Sequence, residues 1–305
     1  MNIATREAYG EALRELAKNE KVIVLDADLA KATKSIEFKK AAPERFLDMG
    51  IAEGDMVGTA AGLATCGKIP FATTFAMFAA GRAFEQIRNS VAYPNLNVKI
   101  AATHAGVTVG EDGGSHQAIE DISLMRSIPN MIVLNPSDAV EAKKAIFAAA
   151  EYYGPVYIRL GRAATPVIHD ENYEFKIGKG EILREGKNVL IIATGIMVAK
   201  ALEAAEELSK ENIEAAVINM PTIKPLDNEL IVSLAKTTDK VVTVEEHSII
   251  GGLGSAVAEV LSEECPVKLK RVGVKDIFGQ SGAPDVLLKH YGLTAEAIVE
   301  AVKSF

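Results

Sequence analysis

Two three-layer α/β domains with mainly parallel sheets are the architecture the sequence predicts, and three observations carry that expectation. Apolar, β-branched runs of strand length alternate with helical patterns, first over residues 1–165 and again over 188–305. A polar stretch bearing Pro166 and three glycines breaks the rhythm between them. A chain of 305 residues fits two domains of about 150 residues each, and its 49% apolar content is enough to build a core in both.

In order along the chain, Thr5–Lys18 reads as a helix with Ala8, Ala12, Leu13, Leu16 and Ala17 near one face. Lys21–Asp28 (KVIVLDAD) then has the continuous apolar character of a strand buried on both sides. The short strand-like FLDMGI leads into a helix rich in alanine and glycine that begins near Glu53. Val98–His104, Met131–Asn135 and Pro155–Leu160 are further buried strands, and Ser137-Asp138 caps a helix running through Glu141 to Tyr152. Ala163–Lys187 has the composition of a linker with a short hairpin, which sets a first domain at 1–165, a linker at 166–187 and a second domain at 188–305. The second series comprises Asn188–Ala193, the helix Val198–Lys210, Glu214–Met220, Lys240–Glu246, the glycine-rich Gly251–Gly254 entering a helix, and Val267–Val274.

Composition excludes several function classes. The net charge of −8, with no basic block or aromatic-interleaved basic stripe, argues against nucleic acid as a partner. No apolar run reaches the roughly 18 residues of a membrane span, and the amino terminus MNIATREAYGEALREL lacks a signal-like apolar segment. Cys66 and Cys265 stand far apart, in neither a CxxC nor a metal-ligand spacing, so neither a disulfide framework nor a metal site within the chain is expected, and a reducing cytoplasm is. Anionic small substrates remain compatible, because a few local arginines suffice for a phosphate.

Three segments carry chemistry. Glu53, in Met49-Gly50-Ile51-Ala52-Glu53-Gly54-Asp55-Met56, is a carboxylate at an apolar helix start, which must be either satisfied there by the helix dipole or functional. Phe75 and Phe78 are spaced to put two rings on one side of a helical turn, as core packing or as a wall for a flat heteroaromatic ring. The loop from His104 to Gln117 leaves a strand's carboxyl end, where ligands gather in open α/β sheets. Its glycines at 106, 110, 113 and 114 permit close approach, while His104 and His116 can donate to hydroxyls, phosphate or a developing oxyanion, or simply be solvated. Arg159 and Arg162 close the strand PVYIRL; Arg162, beyond its end, is the better placed for a phosphate, with a surface ion pair the alternative for each. Gly251-Gly252-Leu253-Gly254 is an incomplete phosphate-binding pattern and reads better as a helix-packing turn.

Together and in this order, the three segments resemble the pyrimidine-binding half of transketolase. The resemblance runs on through Ile223-Lys224-Pro225-Leu226-Asp227 and Val244-Glu245-Glu246-His247, covering nearly the whole chain. It implies a thiamine diphosphate-dependent transfer of a two-carbon ketol unit between sugar phosphates, in the pentose phosphate metabolism of the cytoplasm. By resemblance, Glu53 activates the cofactor, Phe75 and Phe78 hold its pyrimidine, and His116 contacts donor hydroxyls near the reacting carbon. Asp112 matches a hydroxyl-recognising position, Arg6, His104 and Arg162 match sugar-phosphate positions, and Asp28 matches an active-site aspartate. The family's neighbouring phosphate-contacting serine has no clear counterpart; Ala32 falls near its place, with Thr33 and Ser35 close by. The family's diphosphate and Mg²⁺ motif, Gly-Asp-Gly followed by Asn, does not occur, and Gly110-Glu111-Asp112-Gly113 is a different loop. The resemblance therefore implies an amino-terminal partner subunit that supplies the metal ligands, and a heterotetramer of two copies of each chain. A 1-deoxyxylulose-5-phosphate synthase is the nearest rival, although that family typically carries Arg where His104 stands. The β subunit of a 2-oxoacid dehydrogenase is more distant, and a noncatalytic scaffold subunit belongs to a different class.

Overall fold

The computed structural model describes all of residues 1–305. Seven strands form the first sheet, in the spatial order Thr222–Lys224, Ile132–Leu134, Val156–Arg159, Lys99–Thr103, Ile69–Phe75, Val22–Asp26, Phe46–Asp48. Neighbours are parallel except the edge strand Thr222–Lys224, which runs antiparallel to Ile132–Leu134. Helices cover both faces, as a parallel sheet requires. Phe71, Ala101 and Ile158 pack with Tyr9, Leu13 and Ile146, from the helices Thr5–Leu16 and Ala139–Glu151. Ala72, Ile100 and Ala102 turn the other way, toward Met56, Val57, Ala79 and Ile87. Asp138 caps the helix Ala139–Glu151 by accepting from Glu141 N, as the sequence indicates.

The second sheet has five strands, in the order Lys268–Val274, Lys240–Ser248, Val189–Ala193, Ala215–Asn219, Glu181–Arg184, all parallel except the last. Ile191, Val217 and Val242 face the helices Met197–Ser209 and Ala295–Lys303. Leu190, Ile218 and Val241 face the other way and belong to the same apolar cluster as Met125, Ile128 and Val133 of the first sheet's layer. The two cores are therefore continuous across the domain junction.

Two expectations need correction. The segment between the domains holds no hairpin: Ala164–Pro166 pairs with Asn2–Ala4, and Glu181–Arg184 pairs with Ala215–Asn219. Local composition marks a strand but not its partner, which for both segments lies far away in sequence. Thr222–Lys224 crosses from the second series to the first sheet, and its three residues are too short to show any period.

Candidate active site

The carboxyl ends of adjacent parallel strands bring most of the predicted residues together. Phe75 ends the strand Ile69–Phe75 and Phe78 follows within the helix Ala76–Arg82. Their rings lie 5.8 Å apart at 15°, a nearly parallel wall. The His104 ring stacks on Phe75 at 3.8 Å, and the His116 ring stands edge-on to Phe78 at 5.4 Å and 72°. Glu53 is the first residue of the helix Glu53–Thr65 and only 3% exposed. Its Oε1 accepts from Arg82 Nη1 at 3.0 Å, and the Arg82 guanidinium lies 4.2 Å from the centroid of Phe78. A buried carboxylate, an aromatic wall and two imidazoles thus cluster at the strand ends, joined by ring contacts and through Arg82.

His104 sits just past Lys99–Thr103, at φ +57°, rather than within the strand. Burial, with Arg6, Arg162 and His116 nearby, pushes its pKa down to about 3. The ring is therefore neutral near pH 7. Arg6 Nη1 donates to Nε2 at 3.1 Å, which leaves the proton on Nδ1, donating to Thr103 Oγ1 at 2.9 Å. The same Arg6 Nη1 donates to Ala32 O at 2.9 Å, while Arg6 Nε is buried without a partner. Burial holds the Arg6 pKa below its ordinary value, with Glu7 opposing and Arg162 assisting. An oxyanion bound beside the two guanidiniums would relieve the repulsion between Arg6 and Arg162.

Arg162 lies beyond the end of Val156–Arg159 and donates through Nη1 to Val109 O and to Glu111 Oε2. Asp28 and Asp112 are exposed, beyond the strand Val22–Asp26 and in the glycine-rich loop, and neither carboxylate is hydrogen-bonded. The loop itself forms turns of 3-10 helix over Val107–Asp112, broken at Gly110 with φ +85°.

Several neighbouring groups differ from expectation. Arg159 is not on the surface: it is buried, donates through Nε to Asp121 Oδ2 at 2.9 Å, and through Nη2 to Ala118 O and Glu246 O. Thr33 and Ser35 turn their hydroxyls inward to Asp26 Oδ2, both at 2.8 Å, so neither offers its hydroxyl to a phosphate. By contrast, the glycine-rich Gly251–Gly254 is the helix-packing turn the sequence indicates, with Leu253 N and Gly254 N donating to Glu245 at 2.7 and 2.8 Å rather than standing free for an anion. A side chain at Gly252 would fall 2.0 Å from the same carboxylate, which explains the glycine. Sequence reasoning missed Arg82, whose only signal is its place one helical turn beyond Phe78. It also missed Gln117, whose Nε2 donates to Val107 O and to Gln280 O and so stitches the loop to the second domain.

Residues 1–167 match the transketolase pyrimidine binding domain, and residues 178–298 match the transketolase C-terminal domain. A Methanocaldococcus jannaschii protein named for the C-terminal section of transketolase is 55% identical over 97% of this chain and 94% of its own length. A Clostridium protein named 6-deoxy-6-sulfo-D-fructose transketolase subunit SqwH is 48% identical over 97% of this chain and 92% of its own. Among solved structures, one described as a split gene transketolase, inactive beta4 tetramer, superposes with a TM-score of 0.93 at 59% identity, covering 99% of this chain and 98% of that one. Rat transketolase is 42% identical over 99% of this chain but only 49% of its own length.

Proposed function

Because the chain belongs to the transketolase family and carries its pyrimidine-binding and C-terminal domains, we propose that it is one subunit of a split transketolase that transfers a two-carbon ketol unit between sugar phosphates. The observation that carries this reading is the convergence of the buried Glu53 carboxylate with the parallel Phe75–Phe78 wall at the strand ends. That pair would suit an aminopyrimidine, the wall taking a flat ring and Glu53 a proton shared with a ring nitrogen, once Arg82 yields its place at Glu53 and over Phe78. When bound, thiamine diphosphate supplies the electron sink for carbon–carbon cleavage.

The chain's other residues take the roles that follow from their chemistry. His116, edge-on to the wall, donates to hydroxyls near the reacting carbon, and Asp112 accepts from a more distant hydroxyl. Arg6 and Arg162 bind the terminal phosphate, and Asp28 completes the rim. His104, held neutral and oriented by Arg6, offers direction rather than charge. The partner is an amino-terminal subunit with the Gly-Asp-Gly and Asn motif, which holds Mg²⁺ and the diphosphate in a cytoplasmic assembly of two copies of each chain. The names of the archaeal and clostridial relatives support a subunit, as does the half-length match to rat transketolase. The domain boundary belongs in 166–187.

A sulfonated sugar is a second reading of the anion site, favoured by the clostridial relative's name. Arginine pairs read negative oxygens, which sulfonate and phosphate share. Mixing the chain with its partner, Mg²⁺ and thiamine diphosphate is expected to give ketol transfer from xylulose 5-phosphate to ribose 5-phosphate. Release of CO₂ from pyruvate by the same mixture, without ketol transfer, would move the assignment to a synthase or a 2-oxoacid dehydrogenase.

A further inference from the structure

The loop that carries His104, Asp112 and His116 belongs to the first domain, yet its inner side rests on a carboxylate of the second. Glu246 is on the strand Lys240–Ser248, 3% exposed. Its Oε1 accepts from Thr108 N at 2.7 Å. Two residues earlier the backbone passes so close that a side chain at Gly106, at φ +80°, would meet the Glu246 carboxyl at 2.2 Å. The Glu246 main chain is tied in as well, since its carbonyl accepts from Arg159 Nη2, which also holds Ala118 O at the loop's far end. Alternation along the strand sends its neighbour Glu245 to the opposite side, where it caps the helix Leu253–Glu264.

We propose that Glu246 is a positioning residue: its carboxylate fixes the backbone from Gly106 to Thr108 and thereby the placement of His104 before it and of Asp112 and His116 after it. A buried carboxylate is costly to desolvate and is retained where its hydrogen bonds compensate. Here the compensation comes from a loop amide with no helical or sheet partner, and the fit to Gly106 leaves the carboxylate and the loop mutually dependent. Burial pushes the Glu246 pKa up to about 7, against the pull of Arg159 and the Thr108 hydrogen bonds and with Asp121 assisting the rise. As a statement about catalysis this rests on the function proposed above; as a statement about loop order it does not.

The test therefore has two separable readouts on the full chain and its reconstituted complex. Hydrogen exchange at residues 106–112 is compared in wild type, Glu246→Ala, Glu246→Asp and Glu246→Gln, with the helix Ala139–Glu151 as internal reference. Loss of the Thr108 hydrogen bond is expected to speed loop exchange by about 5- to 10-fold in the Ala and Asp variants. The reference helix should not change, and Gln, whose amide carbonyl still accepts from Thr108 N, should restore wild-type exchange. In the complex, the Ala and Asp variants should raise KM for the ketol donor while cofactor affinity holds. Should Glu246→Ala fail to fold, Glu246→Asp, which keeps the charge but shortens the reach, gives the same comparison. Unchanged loop exchange in the Ala and Asp variants, or a Gln variant as mobile as Ala, overturns the proposal. Equal losses of donor and cofactor binding overturn its catalytic half. If the wild-type complex transfers no ketol unit, the functional reading fails while the exchange comparison still decides the role of Glu246.

Discussion

Arg82 donates to Glu53 Oε1 at 3.0 Å while its guanidinium lies over the Phe78 ring at 4.2 Å. A flat cation thus meets the same carboxylate and the same wall that an aminopyrimidine needs. Arg82 is half exposed, whereas the Glu53 side chain is 4% exposed, so the hydrogen bond matters more to the carboxylate than to the arginine. Arg82→Ala is expected to destabilise the cofactor-free chain by about 1–2 kcal/mol, read as a shift in denaturation midpoint. In a Glu53→Gln background the same change should cost much less. Additive losses would show that the two side chains are not coupled.

Glu53→Gln keeps size and shape but cannot hold a proton at a ring nitrogen as the carboxylate does. The reconstituted complex should lose about 10²–10⁴-fold in kcat with its fold unchanged by circular dichroism. A variant retaining more than about a tenth of wild-type kcat is incompatible with the acid–base role.

Arg162 lies beyond its strand end and shares its charge with Glu111. Arg162→Ala should raise KM for phosphorylated sugars by about 10-fold or more, with a far smaller effect on an unphosphorylated ketol donor. Equal losses for both donors would assign Arg162 to holding the loop through Val109 O and Glu111.

His169 joins three parts of the chain. Its Nδ1 lies 2.9 Å from Asp138 at the start of the helix Ala139–Glu151, and its Nε2 lies 2.8 Å from Glu181 on the first strand of the second sheet. Burial opposes its charge, but the Asp138 hydrogen bond and the charges of Glu141 and Glu181 outweigh it and raise the pKa to about 9. A folded-state pKa above the unfolded value of about 6.5 stabilises most below pH 6.5, and the contribution is lost as pH rises toward 9. Stability measured from pH 6.5 to 9 should therefore fall in wild type and fall less in His169→Gln. Parallel profiles would show that His169 is uncharged in the folded chain.

How much of this was legible depends on what each residue's neighbours in sequence reveal. A strand such as Val189–Ala193 is buried along its whole length, so its continuous apolar run identifies it directly. Glu53 alone is ordinary, because the helix dipole accounts for a carboxylate in a first turn, and it stands out only in combination with Phe75, Phe78 and the glycine- and imidazole-bearing loop from His104 to Gln117. Arg82 resembles any cation closing a helix. Glu246 is one carboxylate in a strand, and its reach to Thr108 is set by how two domains meet, which no local pattern encodes. Arg159 and Arg162 differ by three positions, and only tertiary packing gives the first to Asp121 and the second to the loop.

The central claim is that this chain holds one part of an active site and needs a second subunit for the rest. The measurement that tests it most directly is ketol transfer from xylulose 5-phosphate to ribose 5-phosphate, with Mg²⁺ and thiamine diphosphate, by the purified chain alone, by the partner alone, and by the two combined. The account predicts transfer by the combination only, lost on omission of either cofactor component. Robust transfer by this chain alone, freed of any copurifying subunit, would contradict it.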